Sequence, residues 1–470
     1  MSRAPEGVAD ALVVFGATGD LARRMTFPAL YRLAHRGELY CRVVGVGRSV
    51  WSDEQLRQHA AAAVADAVAD VDRGALDDLV SRLSYVAGDA DEPRAYQALR
   101  AALTDARIVV YYLALPPSLF APTVARLAEH GLTERARVVV EKPFGSDLAS
   151  ARALEGALHA VLDEEQIFRI DHFLGKEPVQ DILYLRFANE IFEPIWNRHH
   201  VESVQINLFE AYGVEGRGAF YDRVGALRDV VQNHLLQVLA LVAMEPPSSG
   251  PGAVADRRCD VFRAMPAADP RHYVRGQYRG YREVPGVTRG SRTETFAALR
   301  LAVHNWRWNG VPFLVRAGKA LATTATEVRV RFRTPPPLWW VADGPAEVPR
   351  HNHLTIRIGR DAGASMGVVV KRPGATASER VHLDLSFERQ LGELPQPYER
   401  LLRDAMWGRH DLFPRADVVA ETWRIVQPLL DDPPATIGYE PGSDGPPEAD
   451  RLAAPHGGWR RPGAETPATA

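Results

Sequence analysis

Early in the chain, apolar residues come in short unbroken runs, and the stretches between them carry a helical period. ALVVF, with Val13, Val14 and Phe15 in succession, predicts a strand buried on both faces. FGATGD follows as a glycine turn, and LARRMTFPALYRLAHRGEL predicts a helix. CRVVGVGRS predicts a second short strand. SDEQLRQHAAAAVADAVADV predicts a helix opened by Ser52, with Glu54 and Gln55 nearby. RIVVYYLALPPSLF reads as a third strand ending in a Pro-Pro loop, TVARLAEHGL as a helix, and ARVVVEKPFG as a further strand and loop. Strands alternating with helices predict an α/β domain with a parallel, doubly wound, Rossmann-like sheet.

After about residue 175 the pattern changes. HVESVQINLFEAYG, TFAALRLAVHNW, VPFLVRAG, TEVRVRFR, HLTIRIG and RVHLDLSFE alternate apolar and polar residues with little helix between them. That pattern predicts an antiparallel sheet with one apolar and one polar face. A long helical segment, ALRDVVQNHLLQVLALVAM, lies between the first two of these strands. The C-terminal GWRRPGAETPATA, rich in Pro, Ala and Gly, is expected to fray. The expected architecture is a dinucleotide-binding α/β domain over residues 1–175, then a larger α+β domain over 176–470 for substrate binding and oligomerisation.

Bulk properties exclude several function classes. A net charge of −3 argues against a nucleic-acid partner, whose binding surface needs clustered Lys and Arg. No apolar run approaches the roughly 20 residues that span a bilayer. Cys41 and Cys259 give no disulfide framework and no metal-ligand spacing, so no metal is expected and a reducing cytoplasm is the simplest compartment. Only four of the 56 basic residues are lysine: Lys142, Lys176, Lys319 and Lys371. In so Arg-biased a chain, a retained lysine marks a candidate site for a compact, rotatable ammonium.

The first candidate site is FGATGDLA. It places Gly16, Ala17, Thr18, Gly19, Asp20 and Leu21 in the turn between the first strand and the first helix. There backbone N–H groups and the helix dipole can hold a pyrophosphate, although an ordinary tight turn satisfies the same pattern. NAD sites place an acid at the end of the second strand. Glu38 lies at about the right distance but precedes that strand, whereas Arg48 and Ser49 stand at its end. An Arg there pairs with a 2′-phosphate, and Thr18 can donate to it, so NADP is the expected cofactor.

The second candidate is a histidine. His234 lies in the first half of the amphipathic helix RDVVQNHLLQVLALVAM. Hydride removal from an alcohol carbon needs a base for the hydroxyl proton, and an imidazole oriented by a carboxylate suits that task. RIDHFLGKE supplies a carboxylate in Asp171, and His172 and Lys176 as a grip for an anionic group such as a phosphate.

GATGDLA, EKPFG, RIDHFLGKE, GVEGRGAFYDRVGALRDVVQNHLLQ and VRAGKAL together resemble the signature runs of the glucose-6-phosphate dehydrogenase family, in the family's order, from about residue 11 to about 455. The resemblance implies oxidation of glucose 6-phosphate at C1 to 6-phosphoglucono-1,5-lactone, with NADP. It implies His234 as the base, Asp171 as its orienting partner, and His172 and Lys176 on the phosphate. It further implies Glu210 and Asp229 on sugar hydroxyls, Lys319 on the substrate, and Lys142 reaching toward both coenzyme and substrate beside Pro143. A homodimer or homotetramer packed through the large sheet is implied as well.

The chain departs from the family pattern at Phe173, where a tyrosine is usual, and at Thr324, where a second basic residue is usual. It departs again at Gly359, where glutamine is common, and at Asp444 in GSDGP. Each lost hydrogen bond to a charged group costs about 1.5–3 kcal/mol. Two rival readings therefore stand beside the first: the same chemistry on another aldose phosphate, and a non-catalytic sensor of dinucleotide or sugar phosphate.

Overall fold

A computed structural model describes residues 5–338, 350–359, 361–374 and 378–463. The chain makes two compact units. The first comprises residues 1–176 together with 248–255 and 395–420, and the second comprises the remainder. The two later segments that return to the first unit have no counterpart in the single division near residue 175 drawn from the sequence.

The first unit is built on a parallel sheet of β1 (Ala11–Phe15), β2 (Arg42–Gly47), β3 (Leu83–Ala87), β4 (Val109–Leu113), β5 (Ala136–Glu141) and β6 (Ile167–Ile170). The order β3-β2-β1-β4-β5-β6 reverses direction of progression at β1, which pairs with both β2 and β4. Ligands of doubly wound sheets bind at the carboxyl end of such a switch point. Every residue of β1 and β4 is buried, as their unbroken apolar runs require. Ser52 caps the helix Asp53–Ala67 reciprocally with Gln55: its Oγ accepts from the Gln55 N–H, and the Gln55 side chain accepts from the Ser52 N–H.

The returning helix Pro397–Trp407 completes this core. Tyr398, Leu401, Leu402, Ala405 and Met406 join Phe27, Leu30, Cys41 and Phe168 in one apolar cluster. Polar contacts fix the helix in place. Arg36 pairs with buried Glu399 at 2.7 Å, and the Arg137 guanidinium donates to the Met406 carbonyl at 2.6 Å.

The second unit is built on a sheet of nine strands among the described residues. They are β7 (Val201–Phe209), β8 (Tyr273–Tyr278), β9 (Phe296–Ala302), β10 (Pro312–Gly318), β11 (Ala325–Phe332), β12 (His353–Arg357), β13 (Gly363–Lys371), β14 (Ser378–Ser386) and β15 (Thr436–Tyr439). Their order is β14-β13-β12-β11-β7-β10-β9-β8-β15. Most neighbours are antiparallel, as expected, but β7 pairs with β10 and β8 with β15 in parallel. Alternation reveals that a strand is half-buried and says nothing of which non-consecutive strand lies beside it.

Residues 458–463 of the run expected to fray are held in place. Residues 464–470 lie outside the described residues, and the segment before them is bound to the sheet. Trp459 donates its indole N–H to the Ala449 carbonyl at 2.9 Å and stacks on the Arg316 guanidinium, while Gln205 donates to the Gly458 carbonyl. The indole and the paired amide contacts offset the ordering entropy that composition alone suggested would win. Among the described residues no helix is long and apolar enough to cross a membrane.

Candidate active site

In the first unit the strand-to-helix turn of FGATGDLA follows β1 at the switch point. Gly16 adopts φ +77°, and a Cβ there would stand 2.3 Å from the Ala114 carbonyl oxygen at the end of β4. Only glycine fits this close crossing. The Gly16 and Ala17 N–H groups donate to Val46 at 2.9 and 3.2 Å, and the Gly19 N–H donates to the Gly16 carbonyl. Ala17 is buried, Thr18 half-buried, and Gly19 and Asp20 are exposed. Leu21 makes no side-chain cap to the helical turn it opens. Helix-start N–H groups without a side-chain cap, beside a turn that excludes a side chain, fit an anionic pyrophosphate.

Arg48 follows β2 directly and is exposed, on the same carboxyl edge as this turn. Glu38 lies before β2, at the strand's other end, where it pairs with Arg36 at 3.5 Å and Arg403 at 3.6 Å. The acid that spacing singled out thus stands at the wrong end of the strand for a ribose.

RIDHFLGKE begins on β6. Arg169 is wholly buried and binds Glu155 and Glu164 with both sides of its guanidinium, at 2.5 to 2.9 Å. Its N–H also reaches the Pro414 carbonyl at 3.4 Å. These contacts anchor β6 just before the residues of interest. Asp171, 2% exposed, accepts from the Phe173 N–H at 3.0 Å, and backbone bonds Leu174 to Asp171 and Lys176 to Phe173 close the turn. The Lys176 ammonium stands 3.7 Å from the centroid of the buried Phe173 ring, and His172 is half-buried beside it. Phe173, which lacks the family's hydroxyl, therefore offers the ammonium a ring face.

Lys142 follows β5 and joins Pro143 through a cis peptide. The residue before it, Glu141, is one the sequence reading did not single out. Its Oε1 accepts from the Tyr112 hydroxyl at 2.8 Å and from the Tyr398 hydroxyl at 2.9 Å. Burial pushes the Glu141 carboxyl up to about 7, against the lowering effect of both hydroxyls and of Lys142; the Asp171 charge adds to the rise. Tyr112 reaches it from β4 and Tyr398 from the returning chain, both far along the sequence, so no local signal announced it.

In the second unit Glu210 and Lys319 leave the carboxyl ends of β7 and β10, which are parallel neighbours with Phe209 opposite Gly318. Two adjacent parallel ends deliver both side chains to one place, and the Lys319 ammonium meets Glu210 Oε2 at 2.5 Å. Backbone bonds from Leu321 to Glu210 and from Ala320 to Tyr212 join the two loops. Ala320 is the one non-glycine residue with positive φ among the described residues, at +50°. Such a conformation in a non-glycine residue persists only where its surroundings enforce it. Thr324, where the family carries a cation, accepts from the Ala211 N–H at 2.9 Å and thereby holds the Glu210 loop.

Asp229 and His234 lie on the helical run Gly218–Ala226, Leu227–Leu235 and Leu236–Ala243. Gly225 breaks helical geometry at φ +68°, and a Cβ there would stand 2.5 Å from the Glu294 carboxylate. Glu294 uses that space to accept from the Leu227 N–H at 3.1 Å, while Arg275 pairs with its other oxygen at 2.8 Å. A buried ion pair thus caps the segment that carries the histidine. Leu227–Leu235 has π-helical geometry, an i→i+5 repeat that brings positions five apart, such as Asp229 and His234, toward the same side. The sequence predicted a helix here, and its wider winding was invisible in the period. Asp229 is half-buried and His234 is 1% exposed.

Two further departures from the family pattern have plain structural correlates. A Cβ at Gly359 would find only the Thr326 nitrogen, at 3.8 Å, and Asp444 pairs with Arg461 at 2.9 Å. Lys371 is the exposed last residue of β13, opposite Ser378 on β14. The first unit therefore assembles Asp171, His172 and Lys176 in one turn, and the second brings Glu210 together with Lys319 and sets Asp229 and His234 on one helix.

Comparison with known proteins matches the chain in two successive stretches. Residues 13–181 match the glucose-6-phosphate dehydrogenase NAD binding domain, and residues 183–460 match the glucose-6-phosphate dehydrogenase C-terminal domain. Glucose-6-phosphate 1-dehydrogenase 1 of Mycobacterium tuberculosis is 49% identical over 458 residues, which cover 97% of each chain. The cytoplasmic isoform of glucose-6-phosphate 1-dehydrogenase of Solanum tuberosum is 38% identical, covering 95% of this chain and 92% of the relative. A solved glucose-6-phosphate dehydrogenase in complex with its substrate glucose-6-phosphate superposes with a TM-score of 0.89 at 34% identity, covering 97% of this chain and 99% of that one. The chain belongs to the glucose-6-phosphate dehydrogenase family.

Proposed function

We propose that this protein oxidises glucose 6-phosphate at C1 to 6-phosphoglucono-1,5-lactone with NADP. The observation that carries the reading is that a glycine-pinned turn after β1 and a buried helical histidine occur in one chain that matches this family along nearly its whole length. When bound, NADP accepts the hydride that leaves C1. His234 takes the proton of the C1 hydroxyl, and Asp171 stabilises the imidazolium that results. The working enzyme must bring these two groups together. His172 and Lys176 hold the phosphate ester, and Glu210, Asp229 and Lys319 hold ring hydroxyls. Gly16 to Leu21 cradle the pyrophosphate, Lys142 reaches toward both ligands, and Arg48 favours the 2′-phosphate of NADP.

Purified protein mixed with NADP and glucose 6-phosphate is expected to generate NADPH absorbance. The rate should exceed that with galactose 6-phosphate or free glucose. A higher rate on another aldose phosphate would replace the substrate assignment, and no reduction with any of them would favour a sensor. The retained His234 and Asp171 speak for the enzyme, because binding alone needs no base.

The protein is proposed to work in the cytoplasm as a homodimer or homotetramer. Edge strand β14 supports assembly: Leu383 is 60% exposed and Leu385 41%, and the two share one face with Val381.

A further inference from the structure

Tyr212 stands beside Glu210 and has no part in the assignments above. Its hydroxyl donates to Glu210 Oε1 at 2.5 Å, while Lys319 holds Oε2 at the same distance. Each carboxylate oxygen therefore has its own partner. The Lys319 ammonium also lies 5.3 Å from the Tyr212 ring centroid and 5.6 Å from that of Tyr221. The two rings differ in setting: Tyr221 is 4% exposed and belongs to the core, whereas Tyr212 is 58% exposed. The Tyr212 backbone is held, since its carbonyl accepts from the Ala320 N–H at 2.9 Å and Thr324 fixes the residue before it. An exposed aromatic ring on a fixed backbone, spending its hydroxyl on a binding carboxylate, serves the carboxylate rather than the fold. Partial desolvation around the hydroxyl, together with the hydrogen bond to Glu210 and its charge, holds the phenol above its ordinary range, so it remains a donor at working pH.

We infer that Tyr212 is a positioning and specificity-determining residue for the sugar ring, aiming Glu210 so that its second oxygen exchanges the Lys319 contact for a ring hydroxyl. This inference rests on the function proposed above. A carboxylate fixed at one oxygen accepts along one direction, and so distinguishes a hydroxyl from its epimer; an unfixed one rotates and accepts either. The exposed ring face beside it bounds the space the sugar occupies.

Tyr212→Phe removes the hydroxyl and keeps the ring. Losing one hydrogen bond to a charged group should raise KM for glucose 6-phosphate about tenfold, with kcat within about twofold of the parent. Discrimination against the C2 and C4 epimers, mannose 6-phosphate and galactose 6-phosphate, should fall by a similar factor. In a Glu210→Gln background the same substitution should change KM by less than about twofold, because two residues acting as a unit are not additive. Calorimetric binding of glucose 6-phosphate without NADP should weaken in parallel, with Tm unchanged.

Unchanged KM and epimer ratios would overturn the assignment. So would a loss confined to kcat, full additivity with Glu210→Gln, or a KM change accompanied by a large fall in Tm. If the parent protein reduces no NADP with glucose 6-phosphate, the proposed function fails on its own. The calorimetry then decides Tyr212: weaker sugar-phosphate binding by the variant supports the role, and equal or absent binding in both proteins overturns it.

Discussion

At the end of β1 the six-stranded sheet offers backbone: N–H groups of a turn so close to Ala114 that a Cβ at Gly16 would stand 2.3 Å from its carbonyl oxygen. At the ends of β7 and β10 the nine-stranded sheet offers side chains, with Glu210, Lys319 and Tyr212 bound to one another. Under the proposed function, the first arrangement recognises an anionic pyrophosphate through main-chain dipoles, and it depends on one residue having no side chain. Under the proposed function, the second recognises a pattern of hydroxyls, and it depends on what each side chain is. Changes at Phe173, Thr324 and Gly359 alter the side-chain vocabulary and leave the backbone cradle intact. Cofactor binding and substrate preference should therefore vary independently.

The strongest test of that contrast is His234→Asn. Removing the base should lower kcat by about 10³-fold or more while glucose 6-phosphate binding, measured by calorimetry, stays within a few-fold. Near-parental turnover would remove His234 from the chemistry. Gly16→Ala should weaken NADP binding about 100-fold by forcing the turn open, with sugar-phosphate affinity unaffected; fluorescence titration with NADPH reads this directly. Lys176→Ala should raise KM for glucose 6-phosphate about 30-fold with kcat little changed, since it removes a charge-assisted contact. An effect on kcat alone would reject the phosphate grip.

The smallest expected effect concerns Glu141. Its folded carboxyl keeps its proton up to about pH 7, against 4.5 in the unfolded chain. A raised folded value means that its stabilising effect is full below about pH 4.5 and lost as pH rises toward 7. Glu141→Gln keeps an oxygen for Tyr112 and Tyr398 and removes that loss. The Tm of the variant relative to the parent should therefore rise by about 2–5 °C between pH 5 and pH 8, a difference of the order of 1–3 kcal/mol.

Much of this was legible in the sequence wherever local chemistry dictates the outcome. An unbroken ALVVF before a glycine turn reads as a doubly buried strand and is one, Ser52 before Gln55 announces its own cap, and RIDHFLGKE followed by RDVVQNH carries a family signature. What escaped notice depends on contacts made at long range. Nothing near residue 209 reveals that β7 runs parallel beside β10, so the resemblance gave Glu210 and Lys319 separate roles and their contact came only with the structure. Glu141 reads as one more acid until Tyr398 arrives from over 250 positions away. The π winding around Asp229 gave no signal in the apolar period, which predicted a plain helix.

The helix Pro397–Trp407 carries a consequence for how the protein is made. Because Leu401, Leu402 and Met406 seal the apolar face formed by Phe27, Leu30 and Phe168, the first unit stays unfinished on the ribosome until residue 406 has emerged. Its greasy flank must meanwhile be shielded by a chaperone or by transient collapse, and a fragment ended at residue 176 would expose that flank permanently and aggregate.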